Sequence, residues 1–128
     1  MTNDERNERT LREFYRLFYN EKRFDEGAAL LAEGFINHHG GARNVGRPAM
    51  VDEFGRLART AFPDFHLEVR RLIARDDFVW THGLVTGLPE GRRAVTVDIW
   101  RFERGAIAEH WDVGQALGPG QDPGALLD

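Results

Sequence analysis

The stretch VDIWRFERGAIAEHWDVG, residues 97–114, holds Asp98, His110 and Asp112 inside runs otherwise rich in Val, Ile and Trp. The three ionisable groups sit within the apolar runs and not in the polar turn between them. A carboxyl in apolar surroundings is harder to ionise, and an adjacent imidazole that takes the proton or donates a hydrogen bond opposes that effect. Such a pair works as general acid and base near neutral pH. The same residues could instead form a buried network that only satisfies its own polar groups.

The turn decides whether the three meet, because a one-residue slip sends every side chain to the other face. A three-residue loop of Glu103, Arg104 and Gly105, a type I turn closed by a glycine bulge, sets Phe102 opposite Ala106, Trp100 opposite Ala108, Asp98 opposite His110 and Thr96 opposite Asp112. The three groups then share a face with Trp100 and Phe102, and Val95, Val97, Ile99, Ile107, Trp111 and Val113 make the other. A two-residue loop at Arg104-Gly105 would set Asp98 opposite Trp111 and split it from His110 and Asp112. Both faces are substantially apolar, so both are expected to be covered. Helices can cover one; the other, with Val97, Ile99, Ile107 and Trp111, suits a sheet-to-sheet homodimer.

The remaining candidates surround a pocket. Asn37, His38 and His39 lie where the chain passes into the Gly-rich loop FINHHGGARNVG, a position for a pocket rim with a solvated loop as the competing reading, and His38 is a candidate to polarise a substrate oxygen. His82 alternates with Trp80 and Leu84, Tyr15 lies on an apolar helical stripe, and Trp100 shares the face of the acids. Tyr15, Asn37, Trp80, His82 and Trp100 are therefore expected ligand contacts, with core packing the competing reading for Tyr15 and a satisfied structural histidine for His82. No histidines stand in HExxH or an equivalent spacing, so no metal site is expected. The chain contains no cysteine, which removes disulfides and thiolate chemistry.

Three helices and four strands must position these residues. Leu11, Phe14, Tyr15 and Phe18 recur at helical spacing, predicting a helix over about 4–20. A second begins at an Asp25 cap, runs through EGAALLAEG and ends at Gly34; a third begins at Pro48 with Met50, Phe54, Leu57, Ala58 and Ala61 inward. Then the period changes to two in FHLEVRRLIA, FVWTHGLVTG, AVTVDIWRF and AIAEHWDV, four consecutive antiparallel strands. Residues 1–115 thus read as one α+β domain, helices against a curved antiparallel sheet, and 116–128 as a Gly/Pro-rich tail.

Composition narrows the classes. At 128 residues, with 41% apolar and 30% charged residues, the chain has the make-up of one ordered domain. A net charge of −4 argues against binding nucleic acid backbones. The polar start MTNDERNERT has no apolar leader and no run approaches the ~20 apolar residues of a membrane span, which predicts a soluble, cytoplasmic protein with no membrane partner.

Helix one with its aromatics, NEKRFDEGAALLAEGFINHH, GRPAMVDEFGRLARTAFPDFHLEV and above all VDIWRFERGAIAEHWDVGQ resemble the SnoaL-like polyketide cyclases of the nuclear transport factor 2-like superfamily. The resemblance covers residues 8 to about 115. It implies a cone-shaped, cystatin-like α+β fold in which a strongly bent sheet wraps three N-terminal helices around a deep apolar pocket, usually as a dimer. It also implies cofactor-independent acid/base chemistry on a hydrophobic, polyketide-like carbonyl compound: a cyclase, an isomerase or a hydratase-like lyase. Asp98 matches the pocket aspartate that ketosteroid isomerase and limonene epoxide hydrolase carry on this strand, and His110 and Asp112 are the candidates for the cyclases' acid/base positions. The proton-shuttling acid of an isomerase is missing near the loop before helix three, where Asn37, His38 and His39 stand. Fold alone does not decide activity, so a small-molecule-binding or dimeric interaction module without catalysis is the second class.

Overall fold

The computed structural model describes residues 1–128, with four α-helices and one six-stranded sheet. Helix α1 (Asn3–Phe14) starts where Thr2 Oγ1 accepts the Glu5 backbone N–H at 3.1 Å, with Asp4 and Glu5 in the first turn. A capping oxygen and two acids there complement the helix's unpaired N–H groups. Beyond Phe14 the expected helix is not α-helical: Tyr15–Asn20 form a π-helical turn. The wider turn also brings in Tyr19, absent from the predicted stripe, and buries it with Tyr15, Leu17 and Phe18.

Helix α2 is short (Phe24–Ala28), with Arg23 rather than Asp25 at its capping position. The chain then enters strand β1 (Leu31–His39) and its hairpin partner β2 (Ala42–Val45), so Gly34 lies in a strand and ends no helix. Sheet pairing explains the correction. Strand β1 runs parallel to the last strand with Asn37 opposite His110, Ile107 N–H donates to Leu30 O at 3.0 Å, and Leu31 and Phe35 are buried. Tertiary hydrogen bonds and burial outweigh the helical propensity of ALLAE. Gly40 and Gly41, at φ 60° and 82°, form the two-residue turn between β1 and β2.

Helix α3 (Arg47–Thr60) opens with Pro48 in its first turn and buries Met50 and Ala58, while Ala61 is exposed just past its end. The four expected strands follow as an antiparallel meander: β3 (His66–Arg75), β4 (Phe78–Thr86), β5 (Ala94–Glu103) and β6 (Ala106–Ala116). The sheet order is β2-β1-β6-β5-β4-β3, so the expected purely antiparallel sheet is mixed, with the parallel β1–β6 pair inserted. Helices α1, α2 and α3 cover its inner face. Phe14, Phe18, Tyr19, Phe24, Phe35 and Trp100 form the aromatic part of the core there.

The β5–β6 turn differs from the expected three-residue loop. Glu103 pairs with Ala106, which leaves Arg104 and Gly105 as a two-residue turn at φ 52° and 81°. A bulge then intervenes: Phe102 pairs with Ile107 but Arg101 pairs with Glu109, leaving Ala108 as the extra residue. That residue restores the parity which the shorter turn reversed. Trp100 stands opposite His110 and Asp98 opposite Asp112, so the acids, the imidazole, Trp100 and Phe102 share the inner face through a register not expected. Ile107, before the bulge, is fully buried in the core and leaves the expected outer set.

The outer face keeps a cross-strand row of Ile73, Trp80, Ile99 and Trp111. Residues 116–128 are not a detached tail. Leu117 and Leu127 are buried with Val95 against Leu84 and Leu126, helix α4 (Gly124–Leu127) caps the segment, and Arg71 Nη1 donates to Leu127 O at 2.7 Å. This segment covers one end of the outer face.

A left-handed backbone costs an ordinary L-residue about 1–2 kcal/mol, and Asn tolerates it best. Arg104→Asn should therefore raise unfolding stability by about 0.5–1 kcal/mol, whereas Gly105→Ala should lower it by more than ~1 kcal/mol, both read from urea denaturation.

Candidate active site

Three neighbouring strands supply the polar groups. Within a strand every second side chain faces inward, and the pairing of β1, β6 and β5 aligns Asn37, His110 and Trp100 in one row, with Asp112 and Asp98 in the next. His110 Nε2 lies 2.7 Å from Asp98 Oδ1, and its Nδ1 lies 2.7 Å from Asn37 Oδ1. An amide oxygen only accepts, so Nδ1 carries a proton, and Nε2 and Asp98 share a second proton across their contact. Thr96 Oγ1 donates to the other Asp98 oxygen at 2.9 Å. The imidazole is held flat by Trp100, whose ring stacks on it at 3.9 Å.

Nearer solvent, His39 Nδ1 lies 2.7 Å from Asp112 Oδ2. The hydrogen bond to Asp112 holds the His39 pKa above its ordinary value. Burial alone would raise Asp112, but the His39 hydrogen bond and the nearby His110 and His39 charges prevail and hold it below the usual carboxylate range. Both shifts favour the charged forms of the two partners. Asp98 and Asp112 also act at a distance on Tyr19: burial first, then these two charges, push its phenol well up and keep it neutral.

These groups close one end of a cavity of about 410 Å³. Its apolar lining comes from Met50, Phe54 and Leu57 of α3 and from Phe65, Leu67 and Val85. No Lys or Arg lines it; its charged groups are Glu53, Asp98 and Asp112, beside His39 and His110. A space of this size and lining accepts a small apolar ligand with one polar end.

Of the expected site residues, Asp98, His110, Asp112 and Asn37 line the cavity. Five others do not. His38 faces outward, its Nε2 2.7 Å from Glu109 Oε2 and its ring parallel to Trp111 at 5.2 Å. Trp80 is 49% exposed on the outer face, because Val79 and Thr81 take the inward positions of β4. His82 follows Trp80 by two residues and also faces out, where its Nδ1 lies 2.7 Å from Arg71 Nη1. Tyr15 and Trp100 are core residues behind the wall: Trp100 Nε1 donates to the Tyr15 hydroxyl at 2.7 Å, which is itself 2.7 Å from Thr81 Oγ1.

His39, Thr96 and Tyr19 also line the cavity, although the sequence reading assigns none of them a ligand or catalytic role. For His39 a signal existed. If INHH is a strand with Asn37 inward, alternation sends His38 out and His39 in, but a loop reading gives no parity to apply. Tyr19 comes inward only through the π-helical turn.

Donor atoms of Asp98, His110 and Asp112 lie within 4.8 Å of one another and are the set a divalent metal would use. Ligands on a tetrahedral zinc stand about 3.3 Å apart, given bonds of about 2.0 Å. The 2.7 Å His110–Asp98 contact is shorter and both imidazole nitrogens are engaged, so the arrangement fits a shared proton better than an ion.

The raised His39 contributes stability that is complete below its unfolded pKa of about 6.5 and lost as pH climbs through its folded value. The lowered Asp112 contributes stability present above about 4 and lost as pH falls through its folded value. His39→Gln should therefore cost most stability between about pH 4 and 6.5, the deficit narrowing on either side; denaturation at three pH values checks this. In Asp112→Asn, NMR titration should find His39 returned toward its ordinary pKa.

No helix is long and apolar enough to cross a membrane. Solved structures with the same fold include a Kribbella flavida DSM 17836 protein provisionally named a ketosteroid isomerase, 24% identical over 100% of this chain and 92% of that one, TM-score 0.75. Bal32a, from a soil-derived mobile gene cassette, is 21% identical over 88% and 92%, TM-score 0.79. An LEH-like epoxide hydrolase from M. tuberculosis is 16% identical over 89% and 86%, TM-score 0.77. Likenesses at these identities establish the fold, and no curated protein sequence matches this chain. Residues 11–110 match the family model of the SnoaL-like domain, and with the curled sheet, the covering helices and the inward Asp98, the chain belongs to that family.

Proposed function

We propose that the protein is a cofactor-independent acid/base enzyme, a cyclase, isomerase or hydratase-like lyase, acting on a hydrophobic, polyketide-like carbonyl compound. One observation carries this reading: the hydrogen-bonded Asp98–His110 pair lines a cavity of about 410 Å³ whose lining is mostly apolar. Asp98 removes a proton from the carbon next to the carbonyl, and the released electron pair moves onto the oxygen. His110, held by Asn37 and Trp100, keeps the carboxylate in place and offsets the charge change. Apolar walls exclude water and strengthen these electrostatic effects. The absence of Lys and Arg from the lining favours ligands without a carboxylate or phosphate.

The test needs no knowledge of the natural substrate. α-Tetralone, a bicyclic aromatic ketone, should exchange its α-hydrogens for deuterium in D₂O faster with the protein than without it, as followed by NMR. Asp98→Asn should slow that exchange by about 10²–10⁴-fold with little change in folding. Binding without exchange would favour the alternative, a module that holds such ligands without transforming them. A large loss of stability in Asp98→Asn would mark the pair as structural.

We also propose that two chains pair through the outer sheet face. Ile73 and Trp80 are 69% and 49% exposed, and they continue into Ile99 and Trp111 as one apolar row, which is rarely left wet. Analytical ultracentrifugation should give the mass of two chains for the wild type and of one for Trp80→Glu; a monomeric wild type would overturn the pairing.

A further inference from the structure

For the proton that Asp98 takes from carbon to exchange with solvent, as in the deuterium exchange above, it needs a way out of the site. With a ligand in the cavity, Asp98 and His110 have no direct route: their side chains are only 10% and 3% exposed. Exposure climbs along the neighbouring pair, to 23% at Asp112 and 69% at His39. Resting on the reading of Asp98 as base, we propose that Asp112 and His39 form the proton path between the buried carboxylate and bulk water.

The spacing suits this. Donor atoms of Asp98, His110 and Asp112 lie within 4.8 Å of one another, a gap that one hydroxyl, from water or ligand, bridges with two hydrogen bonds of about 2.8 Å. Asp112 to His39 Nδ1 is a direct 2.7 Å contact. His39 Nε2 has no protein partner, and the ring belongs to the last residue before the Gly40-Gly41 turn at the cavity mouth. An imidazolium held through one N–H can release the proton of its second nitrogen. The transfers balance: the substrate C–H proton goes to Asp98 and the electron pair to the enolate oxygen; Asp98 passes the proton through the bridging hydroxyl to Asp112. Asp112 takes it up as the His39 ring, whose Nδ1–H it holds, releases a proton from Nε2 to water, so one proton enters the pair and one leaves. Reprotonation of the product runs the path in reverse. His110 is excluded as the carrier, because Asn37 and Asp98 occupy both its nitrogens.

The α-tetralone exchange reaction in D₂O tests the path. His39→Gln keeps a hydrogen-bonding partner for Asp112 but cannot carry a proton. At low buffer concentration its exchange should fall about tenfold or more below wild type, because the abstracted proton returns to the carbon it left; tetralone affinity should be unchanged. Added imidazole should restore the rate in His39→Gln and leave the wild type unaffected, a rescue that a merely structural histidine would not show. Equal rates in the two proteins at every buffer concentration, or equal imidazole response, overturns the path while leaving Asp98 as the base. A wild type no faster than Asp98→Asn overturns both.

Discussion

Strand alternation constrains everything in this molecule. The cavity takes Asp98, Asp112, His39 and His110 from β1, β5 and β6, and each strand offers only every second side chain to that cavity. A tight two-residue turn at Arg104-Gly105 would by itself separate Asp98 from His110 and Asp112; the extra residue at Ala108 brings them back to the same face. The bulge is therefore part of the site, although His110, the nearest of the site's ionisable residues along the strand, lies two positions further on. Bulges that re-aim side chains recur beside functional positions for this reason.

Parallel pairing of β1 with β6 is the second consequence. It places Asn37 where its oxygen accepts the His110 Nδ1 proton and His39 where its ring meets Asp112. Four ionisable groups are thus ordered by depth, carboxylate and imidazole at the floor and carboxylate and imidazole at the mouth. Each carboxylate has an imidazole partner, so the buried charges are paired as burial demands. The outer pair is joined by a direct hydrogen bond that favours its charged forms, whereas the inner pair shares one proton under an aromatic plate.

The core around this site is packed so that its polar atoms are satisfied from below. Tyr15, Thr81 and Trp100 bond one another behind the wall, and Trp100 turns its face to His110. Two aromatic residues that looked like ligand contacts thereby act as the support of the imidazole. The wider helical turn that begins at Tyr15 sends Tyr19 to the cavity in their place. On the far face, Trp80 and His82 belong to a separate surface whose chemistry has no contact with the site.

Much of the fold was legible in the sequence because its signals are local. The strand alternation of 66–113, the Pro48 helix start and the stripe from Leu11 to Phe18 each depend on neighbours a few residues apart, and so does the gathering of two acids and a histidine in one hairpin. The segment Leu31–His39 was not legible: its helical propensity is local, whereas its strand hydrogen bonds go to a partner some seventy residues away in sequence, at Glu109–Trp111. His38 and His39 exchanged roles for the same reason, since parity exists only once a strand does. By itself the sequence determined which residue types could do acid/base chemistry and on which hairpin they lie. Tertiary structure alone decided which of them face the cavity, because that depends on long-range register, on one bulged residue and on a helical turn widened by packing.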